Sequence, residues 1–281
     1  AHLTKLYGTS RDGADARDQD DAVALDDHGI LWVAIADVSH YVTPDRPLDC
    51  EAASRGNSFY FPDCVLPMLP ERLSNDLCSL RPNEDRLALA AQLHILPDGS
   101  LREAKLFETV IHSRARLTYE GVDRALSTRD TKEPHLSMLS TMRTLAEAMY
   151  RKRMSEGGID FDLSETKVIL DRHGVVTAMA RRERTPAQQI VEEFMLAANK
   201  GVARLLGQAG LPTIYRVHEK PDARKLGDFV YLLRAYGYTV NLDTAKGDPK
   251  EIDRLLHRFD NDPREKVFSY LALRSMKQAY Y

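Results

Sequence analysis

Asp12, Asp15, Asp18, Asp20 and Asp21 stand within ten consecutive positions of the 281-residue chain, and small and apolar residues follow them at once. Carboxylates crowded this closely repel one another and take up protons unless cations neutralise them. A divalent metal is the simplest partner. Hard oxygen donors suit Mg²⁺ or Mn²⁺, and no nearby set of histidines or cysteines argues for zinc. The calcium-hand pattern does not apply, because its ligand spacing and closing glutamate are missing. In an extended strand Asp18 and Asp20 share one face while Asp21 points to the other, so convergence on one site requires the backbone to bend. Six extended residues would carry Asp12 about 20 Å from Asp18; the Asp12-Gly13 turn signal offers a way back. With two ions about 3.5 to 4 Å apart, the expected reaction is phosphoryl transfer to water, one ion generating the nucleophile and the other steadying the leaving oxygen. The residues alone leave an exposed acidic loop open as the alternative.

The charge pattern fits such a centre. Seven aspartates and one arginine lie between Asp12 and Asp27, whereas Arg151-Lys152-Arg153, Arg181-Arg182-Glu183-Arg184 and the stretch from Arg216 to Lys225 are basic. A net charge of −3 does not advertise a nucleic-acid partner in bulk, so the distribution has to decide. An acidic focus with basic stretches elsewhere suits an anionic substrate, although any one stretch read alone is equally a solvated face. Hydrophobic residues make up 43% of the chain, enough to bury a real core, and neither a repeat nor a low-complexity run divides it. One domain over residues 1–281 is therefore expected. Cys50, Cys64 and Cys78 are too few and too far apart for a disulfide framework or a zinc motif and read as small buried thiols. No apolar run approaches the roughly 20 residues of a membrane helix, and the first residues lack the apolar segment of a secretory signal, which predicts a soluble cytoplasmic protein.

The elements that must position these groups follow from periodicity and turn chemistry. Residues 30–42 are β-branched and aromatic after the turn-prone Asp26-Asp27-His28-Gly29, which predicts a buried strand after a hairpin. Residues 87–111 repeat the pattern about Asp98-Gly99, and residues 167–181 about His173-Gly174; these strands are expected to share one sheet. Leu136, Leu139, Met142, Leu145, Met149 and Met154 recur at helical spacing and predict a helix over about 134–156, stopped by Gly157-Gly158. Thr185 as N-cap, Pro186 at the first helical position and Gln188 completing a capping box predict a second helix, running to about Gly210. Two or three more helices fill 221–280. Strands dominate the first part and helices the last, giving a mixed α and β class with helices packed on a mixed β-sheet core.

The stretches Asp-Gly-Ala-Asp-Ala-Arg-Asp-Gln-Asp-Asp-Ala-Val, "LWVAIADVSHYV", "SFYFPDCVLPMLPERLSNDLCSL", "ARLTY", "RVHEKP" and "LRSMKQAYY" follow in order along nearly the whole chain. Together they resemble the catalytic (RNB) domain of the ribonuclease II and ribonuclease R family, nearer the ribonuclease R branch. The resemblance implies a hydrolytic exoribonuclease that takes single-stranded RNA 3′ end first down a channel and releases nucleoside 5′-monophosphates. It implies that Asp12, Asp18 and Asp21 hold metal and that Asp20 is the aspartate most critical for the chemical step, while Asp15 falls between the family's positions and takes a loop or surface role. Tyr60 and Phe161 correspond to aromatics that stack on bases near the 3′ end, a contact that reads no sequence because every base has a π-face. Tyr119 and Glu192 match positions that help to tell ribose from deoxyribose. Tyr60 and Phe161 are otherwise core aromatics, and Glu192 otherwise a solvated helix carboxylate.

The sequence departs from the family pattern in three places. Arg11 stands where relatives carry an aliphatic residue, and Gln19 replaces an aromatic between Asp18 and Asp20. The chain also stops at "LRSMKQAYY", before the family's Gly-His-Phe-Gly stretch and its "TSPIRRY" arginine. That stop predicts a C-terminally incomplete catalytic domain without flanking oligonucleotide-binding domains. Loss of a preorganised cation at developing phosphate charge would slow turnover, by analogy with lost oxyanion donors at about 2.7 to 4 kcal/mol. The competing expectation is an RNA-binding or regulatory member that keeps the fold without turnover; a metal-buffering or structural domain is the third.

Overall fold

The computed structural model describes residues 2–9, 19–128, 133–161, 165–182 and 184–281. Asp12, Asp15, Asp18 and Arg11 lie outside them. The chain divides into two compact units, Ala1–Met149 with Thr166–Gly210, and Tyr150–Glu165 with Leu211–Tyr281.

The first unit is built on a closed five-stranded barrel in the order β1 (His2–Thr9), β2 (Asp21–Leu25), β3 (Leu31–Ala36), β6 (Asp85–Ile95) and β7 (Leu101–Leu117). All neighbours are antiparallel except β1 and β7, whose parallel pairing closes the ring. Two short strands, β4 (Phe59–Tyr60) and β5 (Val65–Leu66), form a separate hairpin. The β2–β3 hairpin forms where the turn residues predict it: the Asp26 carboxylate accepts the His28 and Ile30 N–H groups at 2.9 Å and the Trp32 indole N–H at 3.1 Å. That turn sets the register Asp21↔Ile35 and Ala22↔Ala34. In the next pair Ala34 meets Ala90 and Ala36 meets Ala88, so small residues align across three strands on one face of the sheet. Segments carrying Leu73, Cys78 and Leu80 cover that face. The opposite face, with Val23, Leu31, Val33, Ala91 and Leu93, packs against helices.

Those helices are α2 (Tyr119–Thr128), the first part of α3 (Leu136–Ser155) and α4 (Pro186–Gln208). The capping box at Thr185 forms as expected, with Thr185 N–H donating to Gln188 Oε1 at 3.0 Å and Gln188 N–H to Thr185 Oγ1 at 3.4 Å. Phe194 on α4 is fully buried in the helix-facing core, a contribution of roughly 1.5–3 kcal/mol from its burial. At Gly201 a Cβ would come within 3.0 Å of Ala104 Cβ and 3.1 Å of Leu93 Cδ2, so glycine lets α4 lie close on β6 and β7. Gly99 in the β6–β7 turn has φ 85° and presses on the Ala148 carbonyl, where a Cβ would stand only 2.4 Å away.

Three expectations are corrected. Strands β8 (Glu165–Leu170) and β9 (Val176–Arg182) form the predicted hairpin, but as their own two-stranded sheet; barrel closure leaves no free edge for them to join. The strand expected over 30–42 ends at Ala36, because the Asp37 carboxylate accepts from Ser39 Oγ at 2.6 Å and His40 N–H at 3.2 Å and caps a 3-10 turn over Val38–His40. Of the three thiols only Cys78 is buried; Cys50, on the surface of α1 (Pro47–Arg55), and Cys64, in the β4–β5 turn, are exposed. Cys50 is two residues from both Leu48 and Ala52, which face the core, and so lies on the opposite, solvent side of α1, while β4 and β5 are exposed throughout.

The second unit is helical: α5 (Ala223–Ala235), α6 (Pro249–Leu256) and α7 (Glu265–Ser275) enclose Leu226, Leu233, Ile252, Phe259 and Phe268. Asp222 and Asp248 cap α5 and α6 through their carboxylates. Val217 and Tyr280 form an antiparallel bridge, which joins two of the stretches that carry the family resemblance.

Candidate functional site

Asp20 and Asp21 stand at the entrance to β2. The backbone there is tied on both sides: Gln19 N–H donates to Ser79 Oγ at 3.2 Å, Leu80 N–H donates to the Gln19 carbonyl at 2.8 Å, and Ala36 N–H donates to the Asp20 carbonyl at 2.9 Å. Alternation along the strand puts Asp20 on the side of Ala22 and Ala24 and Asp21 on the side of Val23. Asp20 is exposed and Asp21 half-buried.

Cys78 reports what surrounds Asp20. Burial pushes its thiol pKa up, and the Asp20 and Asp37 carboxylates push it further, against a smaller opposing pull from Arg86. The charged donors on this side are carboxylate oxygens, from Asp20 and from Asp37 at the end of β3. Sequence reasoning missed Asp37; its signal was an aspartate closing an apolar strand that pairs directly with the acidic one. Among the described residues no group of three or more histidine, cysteine, aspartate or glutamate side chains is placed to hold a metal ion. The donor chemistry, carboxylate oxygens from Asp20 and Asp37, fits a hard divalent cation.

Gln19 is 5% exposed, and its Oε1 has no hydrogen-bond partner among the described residues. A buried polar oxygen left in that state costs about 1–3 kcal/mol. In the sequence this position stands between Asp18, a candidate metal ligand, and Asp20, the candidate for the chemical step.

The other candidates fall into separate groups. Tyr60 pairs with Val65 in the β4–β5 hairpin, is 64% exposed, and has exposed Phe59 and Phe61 on either side. The hairpin is fixed by Arg55 Nη1 donating to the Pro67 carbonyl at 3.0 Å and by Met68 N–H donating to Ser58 Oγ at 2.9 Å. Phe161 belongs to the second unit, where it is partly buried against the apolar cluster of α5–α7. Tyr119 opens α2, is 9% exposed, and lines an apolar pocket with Val122, Met138, Met142, Ala187 and Val191. Glu192 follows Val191 on α4, so the fold brings the helices of Tyr119 and Glu192 together from positions 73 residues apart. A bond from Ala187 N–H to Asp123 Oδ1, at 2.9 Å, staples them. Glu192 Oε2 is 2.7 Å from Arg184 Nη2. Arg184 was legible in the sequence only as part of a basic stretch.

Comparison with known proteins adds ancestry. The family model described as the RNB domain matches residues 2–281. Ribonuclease R of Aquifex aeolicus is 43% identical over 277 residues, which is 95% of this chain and 39% of that protein. Ribonuclease R of Escherichia coli is 38% identical over 278 residues, 96% of this chain and 34% of that protein. A solved structure of Mycoplasma genitalium RNase R in complex with ribose methylated single-stranded RNA superposes with a TM-score of 0.92 at 28% identity, covering 100% of this chain and 45% of the other. The chain thus spans little more than a third of the length of the curated relatives it matches. No helix among the described residues is long and apolar enough to cross a membrane.

Proposed function

The chain belongs to the RNB domain family, and from that premise we propose that residues 1–281 are the catalytic domain of a metal-dependent 3′–5′ exoribonuclease. It hydrolyses single-stranded RNA from the 3′ end and releases nucleoside 5′-monophosphates. The observation that carries this reading is the Asp20-Asp21 pair, held at the entrance to a barrel strand by bonds from Gln19 to Ser79 and Leu80 and by Ala36, with oxygen donors around Asp20.

In this reading Asp12, Asp18 and Asp21 hold two divalent ions, Mg²⁺ or Mn²⁺, and Asp20 orients the attacking water. When bound, the ions supply Lewis acidity and offset the charge that gathers on the phosphate. Tyr60 and Phe161 stack on bases without reading sequence, as a degradative enzyme requires. Tyr119 and Glu192 meet the ribose, where an ionised carboxylate can accept from a 2′-hydroxyl that DNA lacks. A cytoplasmic location goes with this activity.

A second reading, RNA binding without turnover, is favoured by one observation: the buried Gln19 oxygen beside the acidic positions, which has no hydrogen-bond partner among the described residues. Incubation with 5′-labelled single-stranded RNA and Mg²⁺ separates the two. A ladder shortening stepwise from the 3′ end, with 5′-monophosphates released and EDTA stopping both, is expected for the nuclease. Tight binding with the label unshortened would replace it with the second reading.

A further inference from the structure

The basic stretch from Arg216 to Lys225 takes no part in the proposed chemistry, and in the second unit it is fastened to α7 and to the segment after it. Val217 N–H donates to the Tyr280 carbonyl at 2.7 Å, Tyr280 N–H to the Val217 carbonyl at 3.0 Å, and Asp222 N–H to the Ser275 carbonyl at 2.9 Å. The antiparallel register sets Arg216 opposite Tyr281, and the guanidinium lies over that ring, 5.9 Å from its centroid. On α7 itself Phe268, Ala272 and Ser275 are buried, so the other face, with Lys266, Tyr270 and Arg274 at steps of four, is turned outward. There the Arg274 guanidinium lies 6.0 Å from the centroid of the Tyr270 ring. Tyr270 is 53% exposed and Tyr281 78%.

Two exposed rings thus each carry an arginine, a contact that contributes little to folding in water. The charges around them are one-sided. No carboxylate among the described residues pairs with Arg216, Lys266 or Arg274, and the acidic groups of the same segments are already engaged. Glu219 accepts from Lys277 Nζ and, at 3.3 Å, from the Tyr280 hydroxyl. Asp222 accepts the Arg224 and Lys225 N–H groups at 3.0 Å, and Glu265 accepts the Asn261 N–H at 3.1 Å. Positive charge set beside exposed rings is the combination that holds a single-stranded nucleic acid, since cations follow the phosphates and rings stack on bases of any identity. A duplex keeps its bases stacked on one another and out of reach of the rings. We propose that the second unit carries an RNA-contact surface of its own, in which Tyr270 and Tyr281 stack on bases and Arg216, Lys266 and Arg274 meet phosphates. None of these residues belongs to the proposed catalytic or ribose-reading set. The inference rests on the reading of single-stranded RNA as the ligand and does not require turnover.

The test separates stacking from charge. Binding of a fluorescein-labelled single-stranded RNA of mixed sequence to the full chain is followed by anisotropy in EDTA, over a series of salt concentrations. Tyr270→Ala is expected to weaken binding by about tenfold with the salt slope unchanged, and Tyr270→Phe to bind as the parent does. Arg274→Ala is expected to weaken it by about threefold and to lower the slope of log affinity against log salt by about 0.7, the share of one phosphate of a single strand; Arg274→Lys should keep the slope. Both side chains are exposed, so thermal midpoints should stay within a few degrees of the parent. If the parent binds RNA but Tyr270→Ala binds it equally well, or Arg274→Ala leaves the slope unchanged, the surface is overturned, while the exoribonuclease reading is still decided by its own ladder assay. Parental RNA affinity in Tyr270→Ala, together with a parental dimer that this change dissociates in sedimentation, would make the face a protein interface instead. If the parent binds no RNA at all, the reading of RNA as ligand fails and takes this inference with it.

Discussion

Replacing Gln19 with methionine keeps the length and nearly the volume of the side chain and removes the carboxamide. The parent buries Gln19 to 5% exposure with Oε1 unpartnered among the described residues, a state that costs about 1–3 kcal/mol. The backbone contacts that hold this position, from Gln19 N–H to Ser79 Oγ and from Leu80 N–H to the Gln19 carbonyl, do not involve the side chain and survive the change. Gln19→Met is therefore expected to stabilise the first unit by about 1–2 kcal/mol. Urea unfolding followed by the fluorescence of Trp32, the single tryptophan, reads that unit directly. With a slope of roughly 2–3 kcal/mol/M the midpoint should rise by about 0.5 M and the slope should not change. An unchanged or lower midpoint would show that the oxygen is satisfied in solution, and would remove the argument that a polar residue is tolerated there at a cost.

Two further changes probe the supports of the site. Asp26→Ala removes the acceptor for three donors in the β2–β3 turn and should cost about 1–3 kcal/mol at neutral pH by urea unfolding. Burial pushes the Asp26 carboxyl pKa up, but the Ile30, Trp32 and His28 donors outweigh it, and the folded value lies below the ordinary one. The advantage of the parent is thus fully present above about pH 4 and shrinks as pH falls through the folded value; a difference that grows on acidification would contradict this. Tyr60→Ala, on an exposed hairpin, should leave stability unchanged and alter the size of the final RNA product in a limit digest. An identical limit product would take Tyr60 out of the substrate path.

What was legible in the sequence were features with local causes. The Asp26 turn, the Asp98-Gly99 turn, the helix over 136–155 and the capping box at Thr185 each follow from a few residues acting on their own backbone. Features set by distant partners were not legible. Nothing in residues 2–9 announces that β1 closes the barrel by running parallel to β7, and without that closure β8 and β9 looked like further members of one sheet. The strand after Gly29 stops early because the Asp37 side chain competes with the ladder, and the same position proves to be the second carboxylate beside Cys78. The proposed ribose-reading candidates could be named from the resemblance to a known family, but only the packing of α2 on α4 brings the helices of Tyr119 and Glu192 together. Asp12 and Asp18 lie outside the described residues, so their part in the acidic centre stays a proposal carried by the sequence.

The central claim is that the acidic positions before β2 perform phosphodiester hydrolysis on RNA. Asp20→Asn keeps the size of the side chain and removes its charge, so single-turnover cleavage of a 5′-labelled single-stranded RNA by this variant, set beside its binding of the same RNA, tests the claim most directly. The account predicts that stepwise 3′ shortening disappears while the RNA is still bound. Shortening at the parental rate in Asp20→Asn would contradict it.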